Sequence, residues 1–218
     1  MSPRGRAAGP EAMVAALGPL PPSIARAMSR VPRHCFLPAG QRALAYEDEP
    51  LPLEAPDSTI SAPHMVAIQL EAATLRPGHS VLEIGSGSGY LLALIAEIVG
   101  PDARVVGIEL EPTLAARSRV VLDELGYRSI TVRLGDGREG AADLSPFDRI
   151  IVSCATAEIL EAWRHALAPG GRIVAPVGGA WSQTLMTVGA DPAQPPVLGP
   201  DCRFVALRRG PARPPAHI

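Results

Sequence analysis

The residues best suited to chemistry form one run, Glu83-Ile84-Gly85-Ser86-Gly87-Ser88-Gly89-Tyr90. Alternate glycines let a backbone turn sharply and pass close to a ligand. A plain strand-to-helix turn needs one glycine, sometimes two, so three predict a binding loop. The spacing is GxGxG, with Tyr90 next and no lysine following. A dinucleotide fingerprint and a phosphate-gripping P-loop are therefore both excluded. Acidic residues supply the rest. Glu109, followed by Leu110, ends the next apolar run, and Asp136 ends the one after, inside Gly135-Asp136-Gly137. A carboxylate at the Glu109 position can accept both hydroxyls of a ribose. Asp136 can accept from an adenine amino group, and Glu83 can accept from an ammonium group or hold the glycine loop. One acid at a strand end is usually a helix cap or a solvated residue. Three on consecutive strand ends, after such a loop, point to an adenosyl ligand without pyrophosphate: S-adenosylmethionine.

Other reactive side chains read as structural. Cys154 ends the fourth strand, but nothing nearby pairs with it as a base, so a small buried thiol is expected. Trp163 and Trp181 read as packing residues. No set of His, Cys and carboxylates has metal-ligand spacing, so no metal is expected. Arg33 and His34 follow Pro32, and either can anchor the irregular segment around them.

These residues need a frame. Short apolar runs at 80–84, 104–109, 130–134, 149–152 and 172–176 predict strands. Helical spacing covers 89–99, 112–125 and 157–167, and 64–75 reads as a further helix with Ser61 or Thr59 placed to cap it. Segments 182–188 and 202–207 predict two closing strands with an antiparallel edge. Such alternation gives an α/β fold, a doubly wound, mostly parallel seven-stranded sheet. Ligands bind at the carboxyl ends of its strands, where the glycine loop lies. Upstream, a helix around Met13–Leu20 and a short one over Ile24–Met28 precede a proline-rich stretch, 31–63, that reads as a binding loop. Residues 1–10 and 208–218, rich in Pro, Gly, Ala and Arg, are expected to fray.

Composition bounds the function. The chain has 218 residues and a formal net charge of −2, which argues against a protein held to nucleic acid by phosphate contacts. No apolar run reaches the roughly 18 residues needed to span a membrane. No signal peptide is visible, and three distant cysteines form no disulfide framework, so a cytoplasmic protein is expected. All 20 basic residues are arginine, and asparagine is absent. These two features read as coding bias and carry no mechanism.

Several motifs together resemble the protein-L-isoaspartate O-methyltransferases over about residues 28–207. They are Val31-Pro32-Arg33-His34, Ala45-Tyr46-Glu47-Asp48, Thr59-Ile60-Ser61-Ala62-Pro63-His64-Met65, the 81–90 run, Gly135-Asp136-Gly137, Pro146-Phe147-Asp148 and Arg203-Phe204-Val205. The resemblance implies the S-adenosylmethionine-dependent methyltransferase fold and S-adenosylhomocysteine as a product. It also implies methyl transfer to the free carboxylate of an isoaspartyl residue, after which the ester collapses to a succinimide and repair follows.

By that resemblance Ser61 is the catalytic residue, and Thr59, Ile60, Ser61 and His64 bind the substrate. Glu83, Gly85, Ser86, Gly87, Ser88, Gly89, Glu109, Leu110, Gly135, Asp136 and Gly137 bind the cofactor. The chain would form one methyltransferase domain, favoured as a monomer, with a substrate-site extension (1–63), a cofactor-binding core (64–207) and a disordered tail (208–218). The partners are proteins or peptides bearing isoaspartate or aspartate, with neither nucleic acid nor membrane.

One departure stands out. The family usually carries Gly-His-Gly-Gln before Thr-Ile-Ser, whereas here Glu54-Ala55-Pro56-Asp57-Ser58 precedes it. A stiffer loop and extra negative charge beside a carboxylate substrate are expected. Two alternatives follow: methylation of aspartate in a dedicated ribosomal peptide, or a weakly active module that binds S-adenosylmethionine.

Overall fold

The computed structural model describes residues 8–210. Helices α1 (Pro10–Leu17) and α2 (Pro22–Arg30) come first, then two short 3-10 turns, Arg33–Phe36 and Ala39–Leu44. A minimal hairpin, β1 (Leu51–Pro52) with β2 (Thr59–Ile60), leads into α3 (Pro63–Ala73). Then β3 (Val81–Ile84), α4 (Tyr90–Val99), β4 (Val105–Glu109), α5 (Pro112–Glu124) and β5 (Ile130–Leu134) alternate. The chain closes with β6 (Phe147–Val152), α6 (Glu161–His165), β7 (Leu167–Gly178), β8 (Gln183–Gly189) and β9 (Val197–Cys202). Proline opens α1, α2, α3 and α5. There its fixed φ suits the first turn and its missing N–H costs nothing.

Seven strands form one sheet in the order β5-β4-β3-β6-β7-β8-β9. Strands β5 to β7 in that row are parallel, β8 runs antiparallel to β7, and β9 antiparallel to β8. Strand alternation sorts the core. Val81, Val105, Val132, Ile151 and Val174 pack with α3, α4 and α5, whereas Leu82, Ile84, Val106, Ile150 and Ile173 join the cluster around Trp163 of α6. From β3 the chain winds outward to β4 and β5, then returns to the other side through β6. The crevice above the carboxyl ends of β3 and β6 is thus the switch point, where ligands bind in doubly wound sheets.

Several expectations change, among them Trp181, which is 83% exposed instead of packed. The last strand is Val197–Cys202, so 203–207 leaves the sheet instead of closing it. Pro200 offers no N–H to a ladder and Gly199 lies close to Leu185, which accounts for the irregular pairing there. Residues 205–207 run parallel to the chain at Ala155, just past the end of β6, with Ala155 N–H donating to Val205 O and Leu207 N–H to Ala155 O. The 157–167 helix shrinks to Glu161–His165 because Thr156 bridges to Val177 in extended form. Of the expected loose ends, residues 1–7 and 211–218 lie outside the described residues, while Pro10 already opens α1. Residues 208–210 are fastened: Arg208 pairs with Glu111 at 2.8 Å, and Gly210 N–H donates to Asp136 at 2.9 Å.

Candidate active site

The glycine loop joins β3 to α4, with φ of 76°, 51° and 86° at Gly85, Gly87 and Gly89. All three are left-handed, a region that side chains disfavour. A Cβ on Gly89 would also sit 3.1 Å from Ser118, so this glycine lets α4 approach α5. Glu109, at the end of β4, braces the loop: Oε2 accepts from Gly87 N–H at 2.7 Å and Oε1 from Glu111 N–H at 2.8 Å.

Glu83 is 2% exposed, at the switch point. Its Oε1 accepts from the Ser153 hydroxyl at the end of β6, at 2.8 Å, and its Oε2 has no hydrogen-bond partner among the described residues. Burial pushes the Glu83 carboxyl well above the usual carboxylate range; the Ser153 hydrogen bond opposes this and the Glu109 charge adds to it. Gln69 Oε1, Ser86 Oγ and Tyr90 Oη are likewise buried without a partner among the described residues. All four residues line one small cavity with Ser61, Gly85, Gly87 and Ser153. Buried polar atoms are rarely left unpaired, so this cluster fits a ligand that ends in charged, hydrogen-bonding groups. Glu83 suits an ammonium and the hydroxyls suit a carboxylate, as at the amino-acid end of S-adenosylmethionine.

The cavity continues in both directions. One branch runs past Gly85, Gly87, Glu109 and Leu110 into a space of about 750 Å³ bounded by Ile108, Gly135, Asp136 and Arg208. The other opens into a cleft lined by Ser61, His64, Met65, Arg203, Phe204 and Val205. Thr59, Ser61 and Ser153 belong to both the glycine-loop cavity and the cleft.

Asp136 caps the turn Gly137–Glu139 by accepting from Arg138 N–H at 2.9 Å, and its other oxygen receives Gly210 N–H and the Arg138 guanidinium. Burial acts to raise its pKa, but these hydrogen bonds outweigh it and hold the carboxyl below the usual range. Gly137 is a packing glycine: a Cβ would sit 2.4 Å from Ile84, and its carbonyl accepts from Trp163 Nε1 at 2.8 Å. Cys154 is buried against Gly85, and burial pushes its thiol up to about 12, which suits an inert thiol.

Neither Ser61 nor Thr59 caps α3. Ala62 holds the cap position, and the first turn is satisfied by Asp48, whose Oδ1 accepts from His64 N–H and lies 2.9 Å from His64 Nδ1. The Ser61 hydroxyl has no hydrogen bond among the described residues, while its carbonyl accepts from Arg33 at 3.0 Å. Ile60 is buried and pairs with Leu51. The loop that lacks glycines still turns left-handed, at Asp57, with φ 52°. Its Glu54 is not a free charge beside the cleft, because it pairs with Arg117 of α5. The expected extra repulsion therefore comes down to Asp57. Ser153, Gln69 and the Asp48 cap escape the sequence reading. Only Ser153 leaves a signal, as a polar residue at a strand end beside the glycine loop.

A doubly wound sheet with a buried acid at its switch point, one of whose oxygens has no partner among the described residues, a GxGxG loop and a trough from Asp136 to Ser61 defines the class of S-adenosylmethionine-dependent methyltransferases. The family model described as protein-L-isoaspartate(D-aspartate) O-methyltransferase matches residues 20–208, and the chain belongs to that family. Protein-L-isoaspartate O-methyltransferase of Ignicoccus hospitalis is 51% identical over 154 residues, 71% of this chain and 72% of that protein. Protein-L-isoaspartate O-methyltransferase 2 of an Anaeromyxobacter species is 45% identical over 203 residues, 92% and 82% of the two. A solved protein-L-isoaspartate O-methyltransferase superposes with a TM-score of 0.81 at 29% identity; the match covers 90% of this chain and 65% of that longer one.

Proposed function

We propose that this chain is a protein carboxyl methyltransferase that moves a methyl group from S-adenosylmethionine to the free carboxylate of an isoaspartyl residue. One observation carries the reading: Ser61 lies in the wall shared by the glycine-loop cavity and the open cleft. Bound there, S-adenosylmethionine supplies a methyl group activated on a sulfonium. Glu83 would hold its ammonium, Ser86 its carboxylate and Glu109 its ribose hydroxyls. Asp136 would border the adenine.

Nothing further needs activating, because a carboxylate is already ionised at neutral pH. The work left to the protein is alignment and desolvation. The Ser61 hydroxyl would donate to one carboxylate oxygen and leave the other free to attack the methyl carbon. As the new C–O bond forms, the C–S bond breaks and S-adenosylhomocysteine leaves. His64, Thr59 and Val205 line the cleft that would hold the peptide. No helix among the described residues is long and apolar enough to cross a membrane.

The test is methyl transfer to isoaspartyl and aspartyl versions of one peptide. Methylation of the isoaspartyl form alone is expected. Turnover of the aspartyl form with the isoaspartyl form ignored would overturn the reading.

A further inference from the structure

A fully buried cation touches the catalytic wall from outside the trough. Arg33 opens the 3-10 turn Arg33–Phe36 and is 0% exposed. Its Nη1 donates to the carbonyl of Ala45, and its Nη2 to those of Glu49 at 3.2 Å and Ser61 at 3.0 Å. Its Cζ lies 6.0 Å from the centroid of the Tyr90 ring, the first residue of α4 after the glycine loop. One planar group thus meets the proline-rich segment, one of the two residues that separate β2 from α3, and the start of the cofactor-side helix.

Little else holds Ser61. The β1–β2 pairing ends at Ile60, α3 begins at Pro63, and the serine side chain makes no hydrogen bond among the described residues. A guanidinium differs from an ammonium here because its donors are set in a rigid fork, which fixes the directions of several carbonyls at once. We propose that Arg33 is a positioning residue for methyl transfer: by gripping the carbonyls of Ala45, Glu49 and Ser61 it sets the Ser61 hydroxyl against the substrate carboxylate, in line with the methyl group. The proposal rests on the reading of Ser61 given above. Arg33 itself touches neither substrate nor cofactor.

The test is a double-mutant cycle on the full chain with an isoaspartyl peptide and S-adenosylmethionine. Turnover is expressed per molecule that binds S-adenosylhomocysteine, counted by calorimetry, so misfolded protein does not register. Arg33→Lys keeps the charge and loses the fork. A misplacement of about 1 Å near a reacting group costs about 100-fold, so kcat should fall about 10- to 100-fold. Affinity for S-adenosylhomocysteine should stay unchanged. In a Ser61→Ala background, Arg33→Lys should lower kcat no further, because the group it positions is gone.

Undiminished kcat in Arg33→Lys, or effects of the two substitutions that simply multiply, would overturn the proposal. If Arg33→Lys yields no binding molecules, Arg33→Gln, neutral but still able to donate to carbonyls, takes its place in the cycle. Failure of both variants to fold would also overturn it, in favour of an arginine that serves stability alone. A parent enzyme that does not methylate isoaspartyl peptides would instead remove the functional reading on which the proposal rests.

Discussion

Asp48 caps the helix that begins beside Ser61 from 16 residues up the chain, with the His64 backbone N–H and ring Nδ1 both 2.9 Å from its Oδ1. Ala62, at the cap position, has no side chain able to do this. A helix start leaves several N–H groups unsatisfied, and here the proline-rich segment supplies the missing acceptor. The same contact ties that segment to the cleft and fixes the His64 ring at its edge.

Asp48→Ala should therefore destabilise the protein by about 1 kcal/mol, the usual worth of a capping side chain. Asp48→Asn, which keeps a capping oxygen, should retain most of it. Thermal melts of the three proteins at neutral pH check this. Identical melting temperatures for Asp48→Ala and the parent would remove the cap.

Glu109→Ala should weaken S-adenosylhomocysteine binding and lower stability together. The carboxylate satisfies Gly87 and Glu111 N–H groups within the fold, and it is the acceptor proposed for the ribose. Loss of an acceptor for buried donors costs about 1–3 kcal/mol. Calorimetry with undiminished affinity would confine Glu109 to bracing the loop.

The Glu83 carboxyl sets a pH dependence. Burial raises its pKa well above the ordinary value, so the folded protein holds this proton more tightly than the unfolded chain does. The stability this proton contributes is fully present below the unfolded pKa and is lost as pH rises through the folded one. Ligand-free parent protein should therefore fall behind Glu83→Gln as pH climbs above the ordinary carboxyl range. Melts of both across that range check it, and parallel curves would contradict it.

Much of this architecture is legible in the sequence. Val81–Ile84 and Val105–Glu109 are short apolar runs, and the Gly85–Gly89 spacing carries its backbone geometry with it. What stays hidden depends on contacts far apart along the chain. Ser153 meets Glu83 across 70 residues, Gln69 reaches Val152 across 83, and Gly210 reaches Asp136 across 74. No local pattern encodes such pairs. The loop from Glu54 to Ser58 misleads for a related reason: its charge is answered by Arg117, 63 residues on, and its left-handed turn falls on Asp57 rather than on glycine.

The central claim is that the Ser61 hydroxyl aligns the substrate carboxylate, and kinetics of Ser61→Ala with an isoaspartyl peptide test it most directly. The hydroxyl has no hydrogen bond among the described residues and Ala62 holds the cap position, so its removal should leave the melting temperature and S-adenosylhomocysteine affinity nearly unchanged. The rate of methyl transfer should drop by about 10-fold or more, as when a hydrogen bond of about 1.5–3 kcal/mol to a charged group is lost. A variant that methylates as fast as the parent, per folded molecule, would contradict the account.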